Sequence, residues 1–207
     1  MTKKIRIIAH GANSLENIEK AFSRGADFVE VDVSKQVFTT RFVAQHQGIL
    51  GKIGIGKKLE QILSKIPQEK IIFDIKHPQF TPSFAGKFHQ LLEKFNFKRA
   101  NIVSDNWSVL LKLANKGDYR IYFLVESQQN LEQLIAIREE LKNKNFGVII
   151  GGKFLNYAKL APLMRNGIQI FAGIVNDIDL FKRSQELGVE GVITDEVAKL
   201  RNFLKNS

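Results

Sequence analysis

Two acidic side chains interrupt a strongly β-forming segment near the amino terminus. In the predicted strand Phe28–Val33, Glu30 and Asp32 alternate with valines. Because successive side chains of a strand point to opposite faces, both carboxylates lie on one face. If that face is buried, the two charges repel each other and lose their hydration, a cost that a bound divalent cation would offset. If the segment is instead an edge strand, its acidic face is solvated and needs no ligand.

A later predicted strand, Lys70–Lys76, carries a similar anomaly. Asp74 and Lys76 lie on one face at its carboxyl end, where an ion pair between them alone would contribute little. Together with Glu30 and Asp32, Asp74 completes a set of three hard oxygen donors, which suits Mg²⁺ or Ca²⁺ better than zinc. Lys76 adds a positive charge that could bind a phosphate oxygen.

Two histidines occupy comparable positions. His10 ends the first predicted strand, Ile5–His10, and His46 ends the extended segment Phe42–His46. An isolated histidine on an apolar segment is more often structural than catalytic, but here both lie at strand ends near the charged residues. Histidines exchange protons near neutral pH. Two histidines, a cation site and a lysine suit phosphodiester cleavage, in which one histidine activates the nucleophile and the other protonates the leaving oxygen.

Eight predicted strands, each followed by a predicted helix, must position these residues. The alternation implies parallel pairing, because each helix carries the chain back across the sheet. Eight such units predict a single parallel (β/α)₈ TIM barrel, whose active sites lie at the carboxyl ends of the strands. The alternative, an open doubly wound sheet, lacks support because no strand is followed by a G-x-G-x-x-G turn. The predicted strands are Ile5–His10, Phe28–Val33, Lys70–Lys76, Asn101–Ser104, Tyr119–Val125, Phe146–Ile150, Ile168–Val175 and Val189–Thr194.

Length and composition narrow the class of protein. The chain has 207 residues, which at about 100–200 residues per domain predicts one domain over residues 1–207. Since it contains no cysteine, a disulfide framework, a zinc–thiolate site, an iron–sulfur cluster and a cysteine nucleophile are excluded. The first apolar segment is too short for a signal-peptide core, and no run approaches the ~20 apolar residues of a membrane span. We therefore expect a soluble cytoplasmic protein.

The charge balance indicates the kind of partner. The chain has 31 Lys and Arg against 21 Asp and Glu, a formal net charge of +10, which predicts attraction to anionic molecules. The basic residues are scattered over helices and loops, with no basic stripe interleaved with aromatic residues and no helix-turn-helix or zinc-finger pattern. We therefore expect a small-molecule or lipid phosphodiester as substrate, no nucleic acid, and at most weak attraction to anionic membranes.

The order of these residues along the chain resembles a known enzyme family. His10, the Glu30-x-Asp32 pair and His46 follow one another as in the opening of the glycerophosphodiester phosphodiesterase family. Segments near the carboxyl terminus are similar to that family's penultimate and last strands, so the resemblance spans nearly the whole chain. The residues that carry it are Ile7–Ala12, Glu16, Asn17, Gly25–Val33, His46, Ile174–Asp177 and Gly188–Asp195.

The resemblance implies a (β/α)₈ barrel that cleaves glycerophosphodiesters with the help of a divalent cation. It implies that His10 and His46 are the catalytic acid and base. A neighbouring hydroxyl of the substrate would attack phosphorus, and water would then open the cyclic phosphate. The metal ligands that it implies are Glu30, Asp32 and Asp74, and the implied phosphate-binding residue is Lys76.

The chain departs from the family pattern at several positions. Gly11 stands where the family usually has an arginine, and its absence removes a bidentate phosphate contact. Asp74 stands where the third acidic ligand is usually glutamate, and Gly173 stands where the penultimate strand often carries tryptophan. The segments His10–Asn13 and Phe73–Lys76 look closer to the related sphingomyelinase D-like phospholipases, which also lack the arginine and use aspartate as the third ligand.

Three further residues are candidates for a substrate pocket, namely Asn13, Trp107 and Asn176. Trp107 follows the fourth predicted strand, although packing of its ring against a helix is an equally good interpretation. Asn176 ends the seventh predicted strand. The leading hypothesis is metal-dependent cleavage of a glycerophosphodiester or a lysophospholipid-like substrate. The alternative, motivated by Gly11, is a catalytically impaired barrel that binds phosphate or lipid head groups.

Overall fold

The computed structural model describes residues 5–35, 41–45, 56–76, 83–137, 141 and 145–206. Its helices and strands alternate along most of the chain, as the sequence predicts. The strands are β1 Arg6–Ala9, β2 Phe28–Lys35, β3 Phe42–Ala44, β4 Lys57–Lys58, β5 Ile71–Ile75, β6 Asn101–Ser104, β7 Arg120–Val125, β8 Phe146–Gly151, β9 Gln169–Gly173 and β10 Gly191–Thr194. The helices are α1 Leu15–Ser23, α2 Leu59–Leu63, α3 Phe84–Lys94, α4 Trp107–Ala114, α5 Gln128–Ile137, α6 Tyr157–Arg165, α7 Ile178–Glu186 and α8 Val197–Asn206.

Eight of the strands form a closed parallel barrel. They pair in the order β1, β10, β9, β8, β7, β6, β5, β2, and β2 pairs with β1 to close the ring. At the closure, Ala9 on β1 lies between Val29 on β2 and Thr194 on β10. The predicted (β/α)₈ TIM barrel is therefore confirmed. All its carboxyl strand ends, and the residues that follow them, point to the same end of the barrel.

Strands β3 and β4 lie outside the ring. β3 runs antiparallel to the carboxyl end of β2, where Val33 pairs with Ala44, and β4 pairs with β3. The extended conformation predicted for Phe42–His46 is thus confirmed over Phe42–Ala44, whereas His46 lies outside the described residues. Because β2 pairs with β1 on one side and with β5 on the other, it is an inner strand, and the alternative of a solvated edge strand is wrong.

The barrel interior is apolar towards the amino ends of its strands. Seven buried side chains form this inner cluster, and Phe28 of β2 packs against it. Since side chains alternate along a strand, Glu30 and Asp32 share the inner face with Phe28, and Asp74 shares it with Ile72. The three carboxylates therefore lie above an apolar plug, at the carboxyl end of the barrel. The seven residues of the plug are Ile8, Ile72, Val103, Tyr122, Ile149, Phe171 and Ile193.

The helices cover the outside of the barrel with their apolar faces. α1 begins where the Ser14 hydroxyl accepts a hydrogen bond from the Asn17 amide, and α7 begins where Asp177 accepts from the Leu180 amide. Both residues satisfy amides that have no partner within their helix. Ile18 on α1 and Phe181 on α7 are completely buried. Among the helices of the described residues, none combines the length and the apolarity needed to cross a membrane.

Candidate active site

Three carboxylates converge inside the carboxyl end of the barrel. Glu30 and Asp32 lie on β2 and Asp74 lies on β5, where the parallel register places Asp32 directly beside Asp74. One oxygen from each side chain lies within 4.8 Å of the other two. The exposed fractions are 1% for Glu30, 0% for Asp32 and 8% for Asp74, so water cannot screen their mutual repulsion.

The loop that follows β1 binds the first carboxylate through its backbone. The Gly11 amide donates to Glu30 Oε2 at 2.7 Å, and the Ala12 amide donates to the Glu30 carbonyl at 2.8 Å. Gly11 has a φ of +60°, in the left-handed region that favours glycine. The other carboxylate oxygen, Glu30 Oε1, is buried and has no hydrogen-bond partner among the described residues. An unsatisfied buried carboxylate oxygen is the kind of atom that a cation would ligate.

Asn13 makes two hydrogen bonds to Asp32. Its side-chain amide donates to Asp32 Oδ2 at 2.7 Å, and its Oδ1 accepts from the Asp32 backbone amide at 2.8 Å. These two bonds hold the carboxylate in one orientation, as polar groups next to a metal ligand commonly do. The prediction that Asn13 lines the substrate pocket remains untested, while its observed contact gives it an orienting role.

Lys76 supplies the positive charge nearest to the cluster. Its Nζ lies 2.5 Å from Asp74 Oδ2 and 3.9 Å from Asp32 Oδ1. The sequence alone predicts an ion pair with Asp74, and the tertiary structure adds Asp32 from the neighbouring strand. When all three carboxylates are ionised, the single ammonium group leaves two net negative charges in a buried space. A divalent cation has the charge that would balance them.

Burial and mutual repulsion shift the pKa values of this cluster. Burial, with the charges of Asp32 and Asp74, raises the pKa of Glu30 well above its ordinary value. Burial also raises the pKa of Asp74, because desolvation outweighs the attraction of Lys76. Burial alone would lower the pKa of Lys76, but the carboxylates around it raise that pKa above its ordinary value. Without a metal, the cluster therefore favours bound protons, and a cation could replace them.

We expect the stability of the metal-free protein to depend on pH through Glu30. The pKa of Glu30 is raised above 4.5 in the folded state, so its stabilising contribution is present below pH 4.5 and is lost as the pH rises through the raised folded-state pKa. Within that window the loss is about 1.4 kcal/mol per pH unit. Urea unfolding in a chelator should show wild type losing stability relative to Glu30→Gln as the pH rises. Parallel profiles for the two proteins would contradict this.

His10 directly follows β1 and precedes Gly11, whose amide binds Glu30, and His10 is held by a residue from the other end of the sequence. Its Nδ1 lies 2.8 Å from Asp195 Oδ1, in the segment that follows β10. An ionised carboxylate only accepts hydrogen bonds, so this contact assigns the proton to Nδ1 and makes Nε2 the nitrogen that can take up another proton. The His10 side chain is 20% exposed, which leaves it accessible to a substrate.

Asn176 holds Asp195 in place. Its side-chain amide donates to Asp195 Oδ2 at 2.8 Å, and its Oδ1 accepts from the Asp195 amide at 2.9 Å and from the Thr194 hydroxyl at 3.0 Å. The resulting chain of contacts runs from Asn176 through Asp195 to His10. Asn176, predicted from the sequence as a substrate contact, thus makes its described side-chain hydrogen bonds to Asp195, which contacts His10, and to the adjacent Thr194.

Sequence reasoning missed Asp195, although the segment that contains it carries part of the family resemblance. The available signal was its place directly after the last strand, where polar residues face the same end of the barrel as His10.

The structure places Trp107 between the two interpretations that the sequence allows. Its side chain is 6% exposed and its ring packs edge-on against Phe123, with 4.9 Å between the ring centres, while the residue also borders a polar cavity. His46 lies outside the described residues, so its role stays a prediction.

Comparison with known proteins finds one matching family model and several solved structures with a similar barrel. The model of the "Glycerophosphoryl diester phosphodiesterase family" matches residues 34–199. No curated relative matches the chain. A glycerophosphodiester phosphodiesterase from Parabacteroides distasonis is 21% identical, with a TM-score of 0.77 over 100% of this chain and 99% of that one. One from Thermotoga maritima is 20% identical, with a TM-score of 0.75 over 97% and 98%.

A third solved structure carries a ligand. It is a phosphodiesterase from Oleispira antarctica in complex with the product sn-glycerol-3-phosphate, and it is 16% identical to this chain. The TM-score is 0.71, over 97% of this chain and 96% of that one. At these identities the three structures establish a shared barrel fold, and the family model adds the relationship in sequence.

Proposed function

The chain belongs to the glycerophosphoryl diester phosphodiesterase family, a family of phosphoric diester hydrolases, and we propose that it cleaves a glycerophosphodiester or a lysophospholipid-like phosphodiester. The observation that carries this proposal is the buried cluster of Glu30, Asp32 and Asp74 beside Lys76. The glycerol phosphate bound by the Oleispira relative supports a substrate of this chemical class. A panel of phosphodiesters with Mg²⁺ or Ca²⁺, followed by phosphorus NMR, tests the reaction and reports cyclic and hydrolysed products separately.

We propose that Glu30, Asp32 and Asp74 hold a divalent cation, Mg²⁺ or Ca²⁺. The fit rests on three oxygen donors within 4.8 Å, the orphaned Glu30 Oε1 and the excess of negative charge. Such a cation would offset the charge that develops on the phosphoryl oxygens during the reaction. The chain's own contribution is to hold the carboxylates rigidly, through the Gly11 amide and the Asn13 side chain.

The remaining groups would bind the phosphate and move protons. The Lys76 ammonium group would contact a non-bridging phosphate oxygen while it remains near Asp74. His10, with Nδ1 held by Asp195, would transfer a proton at Nε2. A hydroxyl next to the ester would form the new bond to phosphorus and give its proton to one histidine, and the leaving alcohol would take a proton from the other. We propose His46 as that second histidine.

Asp195 is a positioning residue in this scheme, and we expect Asp195→Asn to lower kcat about tenfold to a hundredfold. The amide can donate to His10 and so permits the wrong tautomer, whereas substrate contacts persist. KM should therefore change little. Asp195→Glu, which keeps the carboxylate, should retain more activity than Asp195→Asn. Asp118→Asn is the matched control, because Asp118 is 70% exposed and pairs only with the surface residue Arg99 in the described structure. An unchanged kcat in Asp195→Asn would contradict this role.

A second candidate function is a binding module on the same barrel. Gly11 occupies the position at which the resemblance expects a phosphate-binding arginine, which motivates it. In that case phosphate or a lipid head group would bind without turnover, and the NMR panel would show intact diesters at every metal concentration.

We further propose a cytoplasmic location, with weak attraction to anionic membranes arising from the net charge of +10.

A further inference from the structure

A cavity distinct from the carboxylate cluster opens at the same end of the barrel. It has a volume of about 650 Å³ and lies at the carboxyl ends of β7, β8 and β9. This volume is within the range that small-molecule sites occupy. Neither the three carboxylates nor His10 lines it, so the chemistry proposed above leaves this space unexplained.

Apolar side chains form part of the walls of this cavity, the charged residues Glu126, Lys153 and Asp177 also line it, and glycine backbone lines the rest. Phe154, Ile174 and Leu180 supply the apolar surface, and Ile174 is 43% exposed, which is unusual for a large aliphatic side chain. The Leu180 side chain packs directly against the backbone of Gly152. A Cβ added to Gly152 would lie only 2.9 Å from Leu180 Cδ2, which is too close. At Gly151, by contrast, an added Cβ would make only ordinary van der Waals contact, with Glu126 Cγ at 3.9 Å, so a longer side chain there would extend into the cavity that Gly151 lines.

The cavity lies close to His10, because β9 at its edge pairs with β10, and β10 pairs with β1, the strand that precedes His10. Gly173 on its edge pairs with Ile193, and the Val175 amide donates to the Ile193 carbonyl at 2.8 Å. Ile174 lies two residues before Asn176, which positions Asp195 and through it His10. Since β10 alone separates β9 from β1, two strand spacings, or about 10 Å, lie between the cavity edge and the His10 strand. A substrate held at phosphorus near His10 could therefore extend a chain into the cavity.

We propose that this cavity binds the hydrocarbon chain of a single-chain phosphodiester, so that the enzyme prefers a lysophospholipid to a glycerophosphodiester without an acyl chain. The inference rests on the proposed function for the position of the phosphate, and it adds the substrate class. Each methylene group buried in an apolar site strengthens binding by about fourfold. Even partial burial of a short chain would thus dominate the preference between two substrates that share a head group.

The test uses glycerophosphocholine and its 1-octanoyl derivative, which differ only in the acyl chain. Wild type should show a kcat/KM at least about tenfold higher for the octanoyl substrate. Gly151→Leu fills the cavity from a backbone with φ −59° and ψ 139°, which any residue adopts. It should remove that preference and leave kcat/KM for glycerophosphocholine within about twofold. Gly86→Leu is the matched control, because a Cβ at Gly86 on α3 meets no atom within 4 Å.

Other outcomes overturn the inference. An unchanged preference in Gly151→Leu, or an equal loss for both substrates, would show that the cavity does not hold the chain. If wild type cleaves neither substrate, the proposed function fails, and calorimetry with octylphosphocholine below its micellar concentration then judges the cavity alone. Binding that exceeds that of glycerophosphocholine, and that Gly151→Leu abolishes, would support the hydrocarbon site. Binding that does not depend on the chain would refute it.

Discussion

His10→Ala should lower kcat for a cleaved phosphodiester by about 10²–10⁴-fold, the usual contribution of a positioned acid or base. The alanine side chain cannot take up or return a proton at the position that Asp195 now fixes. Lys76 and the carboxylate cluster remain in place, so KM should change much less than kcat. Initial rates at saturating Mg²⁺ or Ca²⁺, followed by phosphorus NMR, measure the effect.

The control for this variant is a histidine remote from the site. His89 lies on α3, and its Nδ1 contacts the Tyr119 hydroxyl at 2.7 Å, so His89→Ala should keep its kcat. The His10 side chain is partly exposed and lies outside the apolar plug, so His10→Ala should also retain the wild-type unfolding midpoint. Full activity in a folded His10→Ala protein would remove His10 from the reaction.

Glu30→Gln should abolish tight binding of the divalent cation and, with it, metal-dependent turnover. Glutamine preserves the shape of the side chain and the hydrogen bond from Gly11, but it removes the charge. For wild type, a metal concentration of 100 times Kd should stabilise the fold by about 2.7 kcal/mol, which raises Tm by about 5–11 °C for a chain of this size. In Glu30→Gln that metal-dependent rise should disappear.

The same substitution should have the opposite effect in a chelator. Because Glu30 Oε1 is buried without a hydrogen-bond partner in the described structure, removing its charge relieves repulsion in the metal-free protein, and the variant should be at least as stable as wild type near neutral pH. Glu19→Gln, an exposed position on α1, is the matched control and should leave calorimetric metal binding unchanged. Unaltered metal affinity in Glu30→Gln would exclude Glu30 as a ligand. A wild-type protein that binds neither Mg²⁺ nor Ca²⁺ would favour the binding module.

Local periodicity was sufficient to predict the barrel and part of its site. The alternation of strands with helices specified parallel pairing, and the period of two along β2 put Glu30 and Asp32 on one face. The same rule put Asp74 and Lys76 on one side at the carboxyl end of β5. These relations depend only on neighbours in the chain, so they do not require knowledge of the closed barrel. Helix ends were less predictable, since the helix predicted to end at Phe97 ends at Lys94, and the helix predicted over Lys58–Ile66 spans Leu59–Leu63.

Other features depended on closure of the sheet. The period of β2 could not tell a solvated edge from the barrel interior, and only its pairing with both β1 and β5 decided that the carboxylates are buried. Trp107 also fitted either a pocket or a packed core, and its contact with Phe123 required the neighbouring strand to be in place. The cavity near Gly151 combines residues from separate strands, a helix and the segments between them, whose proximity no local pattern encodes.

The sequence by itself determined which residue types could perform the chemistry and that they would gather at one end of a parallel barrel. The tertiary structure alone decided their partners, above all the contact of His10 with Asp195, 185 positions away in the chain. The physical reason is that strand and helix periods arise from backbone geometry over a few residues. A hydrogen bond between the two ends of the chain forms only when β10 closes the barrel against β1 and brings those ends together.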